Sequence, residues 1–205
     1  ASVDVLPFAD IVVSSLTKYA GSEGDVMAGV IAVHPARADG TELLASVRRR
    51  LTPLHALDLS VLAMQVGRMA EVTHRLSATA AEIARRLAAH PAVARVRTAD
   101  QGPTAASYRR LLRPGAGAGS LITLELHGDM RRVYDRLAVA KGPSFGLRYT
   151  LAAPFLWLAH FEEVTNEQGR AHIRAAGLDP DLLRISVGLE SVEDIWSAFV
   201  AALAK

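Results

Sequence analysis

The sequence predicts an α/β protein in two parts, and three observations predict it. Short apolar runs rich in β-branched residues recur along the chain. A long stretch with apolar residues at three- and four-residue steps lies after the first two runs. Beyond it, further runs alternate with amphipathic stretches, the order expected of strands packed against helices.

The elements follow in order. Ala9 to Val13 reads as a buried strand, and Ser14 to Asp25 as a turn of small and polar residues. Val26 to Val33 is a second strand, interrupted by Gly29. Thr41 and Glu42 open a helix reaching about Leu51. Leu54 to Ala89 is a long helical region, in one or two pieces, with Leu76, Ala80, Ile83, Ala84 and Leu87 along one face. His90-Pro91 ends it, because proline disfavours helix in the residue before it. Ala92 to Val96 is a short strand, and Thr98 to Gly119 a Gly- and Pro-rich loop. Ser120 to Leu126 alternates as a strand. Asp129 caps a helix to about Ala140, and Phe145 to Leu151 is extended. Asn166 to Ala175 is a helix stopped by Gly177, and Leu183 to Val187 is a strand. Ser191 and Asp194 then bracket the start of a helix to Leu203.

Composition limits the functions available. The chain has 205 residues, half of them hydrophobic, enough to bury a sizeable core. No apolar run approaches the roughly 18 residues of a membrane span. Cysteine is absent, which removes disulfides and thiolate metal sites and is in keeping with a reducing cytoplasm. The net charge is +2, and the basic residues are nearly all arginine; the lysines are Lys18, Lys141 and Lys205. No aromatic-rich surface accompanies the arginines, so neither nucleic acid nor membrane is expected as a partner. His34, His74, His90 and His160 lack metal-ligand spacing and read as structural or surface residues.

One lysine is unusually placed. Lys18 directly follows an apolar strand, and amines withdrawn from water favour their neutral, nucleophilic form. Ser15 and Thr17 add two hydroxyls that, with backbone N–H groups, suit a phosphate. An amine and a phosphate cradle within four residues meet the needs of pyridoxal phosphate: a bond to its aldehyde and an anchor for its phosphate. Taken alone, Ser-x-Thr-Lys more often marks a surface lysine in a Ser/Thr turn. Arg184 is a second candidate. An arginine on a strand between apolar residues is costly to bury without an anion, and its planar fork matches a carboxylate. A structural ion pair explains it equally well.

Residues 6 to 29 read Leu-Pro-Phe-Ala-Asp-Ile-Val-Val-Ser-Ser-Leu-Thr-Lys-Tyr-Ala-Gly-Ser-Glu-Gly-Asp-Val-Met-Ala-Gly. This resembles the lysine signature of the Cys/Met-metabolism pyridoxal-phosphate enzymes: an Ala-Asp strand, Ser-x-Thr-Lys-Tyr, a glycine turn, then Asp-Val-x-x-Gly. The likeness continues through the long helix and strand of Met69 to Val96. It extends to Ser144-Phe145-Gly146, similar to the family's Ser-Leu-Gly turn. It ends in Leu182-Leu183-Arg184-Ile185-Ser186-Val187-Gly188-Leu189-Glu190, similar to Leu-Val-Arg-Leu-Ser-Val-Gly-Ile-Glu. Two segments depart from the pattern. Met64-Gln65-Val66-Gly67-Arg68 stands where the family often has Arg-Gly, and Phe145 and Leu147 differ within Ser-Leu-Gly-Gly. The second departure bears on the shape of the substrate pocket.

The resemblance implies a fold-type-I, aspartate aminotransferase-like transferase, with residues 1–70 the remainder of the cofactor-binding large domain and residues 71–205 a small α/β domain entered through the long helix. It implies pyridoxal 5'-phosphate as the cofactor, Lys18 as its Schiff-base lysine and proton carrier, and Ser15 and Thr17 at the phosphate. Arg184 and Ser144 would hold the substrate's α-carboxylate; Tyr19 would pack beside the lysine and Asp25 would shape the turn. The favoured reading is cystathionine γ-synthase-like γ-replacement on an activated homoserine with cysteine. The alternative enzyme is a carbon–sulfur lyase acting on cystathionine or methionine. The alternative of another class is a non-catalytic fragment or partner subunit. The family carries about as much chain again before its lysine segment, so this chain is read as a C-terminal half. The resemblance also implies a homotetramer built from dimers.

Overall fold

The computed structural model describes residues 2–204; Ala1 and Lys205 lie outside the described residues. The first sheet is a hairpin. Strands β1 (Ile11–Ser15) and β2 (Gly29–Val33) pair antiparallel, with Ile11 opposite Val33 and Ser15 opposite Gly29. Between them, residues 16–28 form a long loop pinned at its neck, where the N–H groups of Leu16 and Thr17 both donate to the carbonyl of Ala28. Ala20 and Val26 of this loop are buried against Leu62. Helix α1 (Gly40–Arg48) follows. The long helical region divides into α2 (Ala56–Val66) and α3 (Met69–Ala88), joined at Gly67 and Arg68 by a tight turn in which Arg68 N–H donates to the Gln65 carbonyl.

The second sheet has five strands: β3 (Val93–Arg97), β4 (Leu121–Leu126), β5 (Ala140–Lys141), β6 (Leu151–Ala153) and β7 (Leu183–Ser186). Their order is β3-β4-β7-β6-β5; only β5 and β6 run parallel. Successive strand residues face opposite sides, so β7 sends Leu183 and Ile185 to one face and Arg184 and Ser186 to the other. Onto the first face pack α3, α5 (Met130–Arg136) and α9 (Val192–Leu203), with Ile83, Leu87, Leu137 and Phe199 fully enclosed. Each such large apolar side chain contributes about 1.5–3 kcal/mol relative to exposure. Leu76, Ala80, Ile83, Ala84 and Leu87 are all buried, as their spacing predicts.

Two caps are as the sequence predicts. The Asp129 carboxylate accepts from Arg131 N–H at 2.9 Å and Ser191 accepts from Asp194 N–H at 3.1 Å; Asn166, expected inside its helix, instead caps it, accepting from Gly169 N–H at 2.7 Å. Several elements differ. The region expected to be a loop contains a short helix, α4 (Ala105–Leu111). The helix after Asp129 ends at Arg136, where the chain turns to form β5. The segment expected to be extended from Phe145 turns instead at Gly146, whose φ of +72° is left-handed, and the strand begins only at Leu151. Short helices α6 (Phe155–Ala159) and α7 (Phe161–Val164) precede α8 (Glu167–Ala175). Among the described residues, no helix is long and apolar enough to cross a membrane.

Candidate active site around Lys18

Lys18 stands three residues past the end of β1, on the loop that the Ala28 carbonyl pins to the hairpin. Its Nζ donates to Ser144 Oγ at 3.2 Å, a contact 126 residues apart in sequence. The same amine lies 5.3 Å from the centroid of the Phe145 ring. No carboxylate forms an ion pair with it among the described residues. Lys141 is differently situated. Burial pulls its pKa down, yet its amine donates to the carbonyls of Tyr134 and Leu137 at the end of α5 and so serves as a helix cap. A perturbed pKa points to Lys141; geometry singles out Lys18, because of these two its amine is the one that faces another candidate site residue.

Arg184 reaches the same region from β7. Its guanidinium carbon lies 4.0 Å from the Phe155 ring centroid and 5.9 Å from that of Phe145, and Nη2 donates to the Pro143 carbonyl. Burial lowers its pKa, although an arginine remains charged. No acid pairs with it among the described residues, which argues against the ion-pair explanation. A guanidinium against two aromatic rings and one carbonyl retains N–H donors for an anion. Thus Phe145 lies between an amine and a guanidinium, and Ser144, Pro143 and Gly146 of the same turn touch Lys18, Arg184 and Tyr19 respectively.

The two hydroxyls assigned to phosphate are less well assembled. Thr17 Oγ1 accepts from Ala28 N–H at 2.9 Å and donates to the Ala28 carbonyl at 3.3 Å, so its proton is engaged in holding the loop. Ser15 is exposed at the end of β1 opposite Gly29. Asp25 accepts from Gln65 Nε2 at 2.9 Å and ties the loop to α2 rather than capping its own turn. The residues present therefore fit the aldehyde end of pyridoxal phosphate and a substrate carboxylate; Ser15 and Thr17 by themselves form only part of a phosphate cradle. The histidines serve locally: His34 and His90 Nδ1 accept backbone N–H groups of Ala36 and Ala92, and His74 bonds the Gly115 carbonyl.

Phe155, Ser120 and Ser186 also belong to this neighbourhood, although the sequence did not mark them for it. Ser186 could have been found, because it lies two residues after Arg184 on a strand and so shares its face. Phe145 was marked by its departure from the family's Ser-Leu-Gly turn; Phe155 carried no such signal.

The family described as Cys/Met metabolism PLP-dependent enzyme, PLP being pyridoxal phosphate, matches residues 5–204. The chain is 38% identical over 198 residues to the L-2-amino-4-chloropent-4-enoate dechlorinase/desaturase of Streptantibioticus cattleyicolor, covering 97% of this chain and 40% of that protein. It is 35% identical over 207 residues to the cystathionine gamma-synthase of Neurospora crassa, covering 99% of this chain and 32% of that protein. Its fold matches the crystal structure of cystathionine gamma synthase from Xanthomonas oryzae pv. oryzae in complex with aminoacrylate and cysteine. That match has a TM-score of 0.83 and 26% identity, over 99% of this chain and 52% of that one. The α/β architecture with a mixed sheet is that of the fold-type-I pyridoxal-phosphate enzymes. The relatives are enzymes of both kinds foreseen from the sequence, cystathionine gamma-synthases and methionine gamma-lyases. The chain spans less than half the length of these curated relatives. It belongs to the Cys/Met metabolism family of pyridoxal-phosphate-dependent enzymes.

Proposed function

We propose that this chain carries the lysine and the carboxylate grip of an enzyme that replaces the γ-substituent of an activated homoserine with cysteine. The observation that carries the reading is the meeting of Lys18 with Ser144 at 3.2 Å, beside an Arg184 that has no acid partner among the described residues. Lys18 is the amine that would bond the cofactor's aldehyde carbon and, once released, move protons at the substrate's α- and β-carbons. Arg184 and Ser144 would hold the α-carboxylate and so orient the carbon chain toward that amine. Phe145 and Phe155 lie against the guanidinium and leave it half-buried, which would strengthen its hold on an anion. When bound, pyridoxal phosphate would supply the electron sink for carbanion chemistry. Ser15, with Thr17 released from the Ala28 carbonyl, would contribute to its phosphate site.

In this reading residues 1–70 belong to a large cofactor-binding domain and residues 71–205 form the small domain. The large apolar residues exposed on the hairpin and α2, among them Val13, Met27 and Leu57, suit a segment meant to be covered. The working enzyme would be a cytoplasmic homotetramer built from dimers. A second reading, loss of the γ-substituent without thiol addition, is favoured by the 38% identity to a dechlorinase/desaturase.

The test is borohydride reduction of the full-length gene product with pyridoxal phosphate, followed by peptide mass mapping. A phosphopyridoxyl group on Lys18 and not on Lys141 is expected; its absence from Lys18 sinks the enzymatic reading. Incubation with an activated homoserine then separates the two reactions. Product that requires cysteine supports replacement, and product formed equally without it supports elimination.

A further inference from the structure

Immediately after Lys18, Tyr19 leaves the loop and reaches the five-stranded sheet. Its hydroxyl accepts from Ser120 N–H at 3.2 Å and lies 3.1 Å from Ser120 Oγ. Ser120 Oγ is 3.3 Å from Ser186 Oγ, which accepts from Gly146 N–H at 3.1 Å. Both serines are buried, at 0% and 2% exposure, so none of these bonds is replaced by water without cost.

The ends of this chain of bonds define its role. It begins beside Lys18, passes through Ser186, two residues from Arg184 on the same strand face, and finishes at Gly146, two residues from Ser144. The bond from Lys18 to Ser144 then closes a ring. The tyrosine ring is also held in a slot that two glycines leave open. Gly146 has φ +72°, and a Cβ there would stand 2.9 Å from Tyr19 N and 3.0 Å from its ring carbon. Gly119 has φ +81°, and a Cβ there would stand 3.1 Å from the tyrosine hydroxyl. The hairpin and the five-stranded sheet are separate sheets, so strand pairing does not set the distance between Lys18 and the carboxylate grip.

We infer that Tyr19 is a positioning residue: through Ser120 and Ser186 its hydroxyl holds the Lys18 amine in register with Ser144 and Arg184. The inference rests on the proposed roles of Lys18 as the cofactor amine and Arg184 as the carboxylate grip. Tyr19 would act through other groups, its hydroxyl being engaged by Ser120. Phenylalanine would fill the same slot but could not hold the register.

The experiment uses the full-length enzyme loaded with pyridoxal phosphate, comparing wild type with Tyr19→Phe, Ser186→Ala and the double variant. Three quantities are read: borohydride labelling of Lys18, the unfolding temperature, and the dissociation constant of L-alanine, an amino acid with no γ-leaving group, by calorimetry. Labelling of Lys18 is expected to persist, while alanine binding weakens about tenfold in each single variant, the size of one lost buried hydrogen bond. The double variant is expected to bind no more weakly than either single one, because one ring is broken in all three. Unchanged alanine affinity, even with a lowered unfolding temperature, would show a merely structural contact and overturn the inference. Additive losses would do the same by separating Tyr19 from Ser186. Should Tyr19→Phe fail to fold, the alanine affinity of Ser186→Ala decides between the same two outcomes. Failure of wild type to label at Lys18 is a different result, for it removes the functional reading itself.

Discussion

In β7, Leu183 and Ile185 are fully enclosed by helices, whereas in β1 the similarly apolar Ile11 and Val13 are 40% and 71% exposed. Both strands carry a functional candidate at or near one end, Arg184 on the first and Lys18 after the second. The five-stranded sheet gains its order from a core supplied by α3, α5 and α9. Among the described residues the hairpin has its partner strand and the small cluster of Ala20, Val26 and Leu62, and its loop is tied to the rest by polar contacts such as Arg148 N–H to the Ser22 carbonyl. Two-stranded hairpins are marginal by themselves. The comparison teaches that Arg184, the proposed carboxylate grip, stands on a packed sheet, while the amine owes its place to contacts reaching across from the other sheet.

The largest effect expected from breaking this contrast lies in the core. Phe199→Ala should cost about 3–5 kcal/mol in urea unfolding, because Phe199 is fully enclosed and its cavity cannot collapse against a packed sheet. Next is the guanidinium itself. Arg184→Ala in the full-length enzyme should raise KM for the amino-acid substrate roughly a hundredfold, about 2.7 kcal/mol, as charge-assisted bonds to a carboxylate are lost. Unfolding should be little altered; an unchanged KM would return Arg184 to a structural role.

A smaller effect concerns pH. Burial would raise the Asp181 carboxyl's pKa, but hydrogen bonds from Arg170 and Trp157 outweigh it and hold the group below the usual carboxylate range. A depressed carboxyl contributes stability above its unfolded pKa and loses it as pH falls through the folded value. Asp181→Asn should therefore be destabilising near about pH 7 yet nearly neutral near about pH 2, in paired denaturant titrations. Equal destabilisation at both would mean packing alone is at stake. The smallest effect belongs to the hairpin: Val13→Thr should change unfolding by no more than about 0.5 kcal/mol. It should reduce self-association of this chain in light scattering, since Val13 contributes to an exposed apolar surface. A large loss of stability there would erase the contrast between the sheets.

Much of the fold was legible because local chemistry dictated it. The caps at Asp129 and Ser191 hold where expected, since a side-chain oxygen satisfies N–H groups within three residues. The buried face of α3 follows from spacing. The failures lie where tertiary contact prevails. Phe145 to Leu151 reads as extended, yet a left-handed turn stands at Gly146, where Tyr19 packs too closely to admit a Cβ. Ile11 and Val13 read as buried, but nothing in their own sequence specifies what would cover them.

For the candidate site the division is similar. The sequence by itself determined the residue types and their local frames: Lys18 after a strand, Arg184 on a strand with Ser186 facing the same way, Ser144 in a turn. Residue type and strand period depend only on near neighbours. Only the tertiary structure decided that Lys18 meets Ser144, that Phe145 and Phe155 flank Arg184, and that Tyr19 bridges to Ser120. Those contacts join residues a hundred or more positions apart, or separate sheets and turns, and no local periodicity encodes a distance set by how two sheets pack.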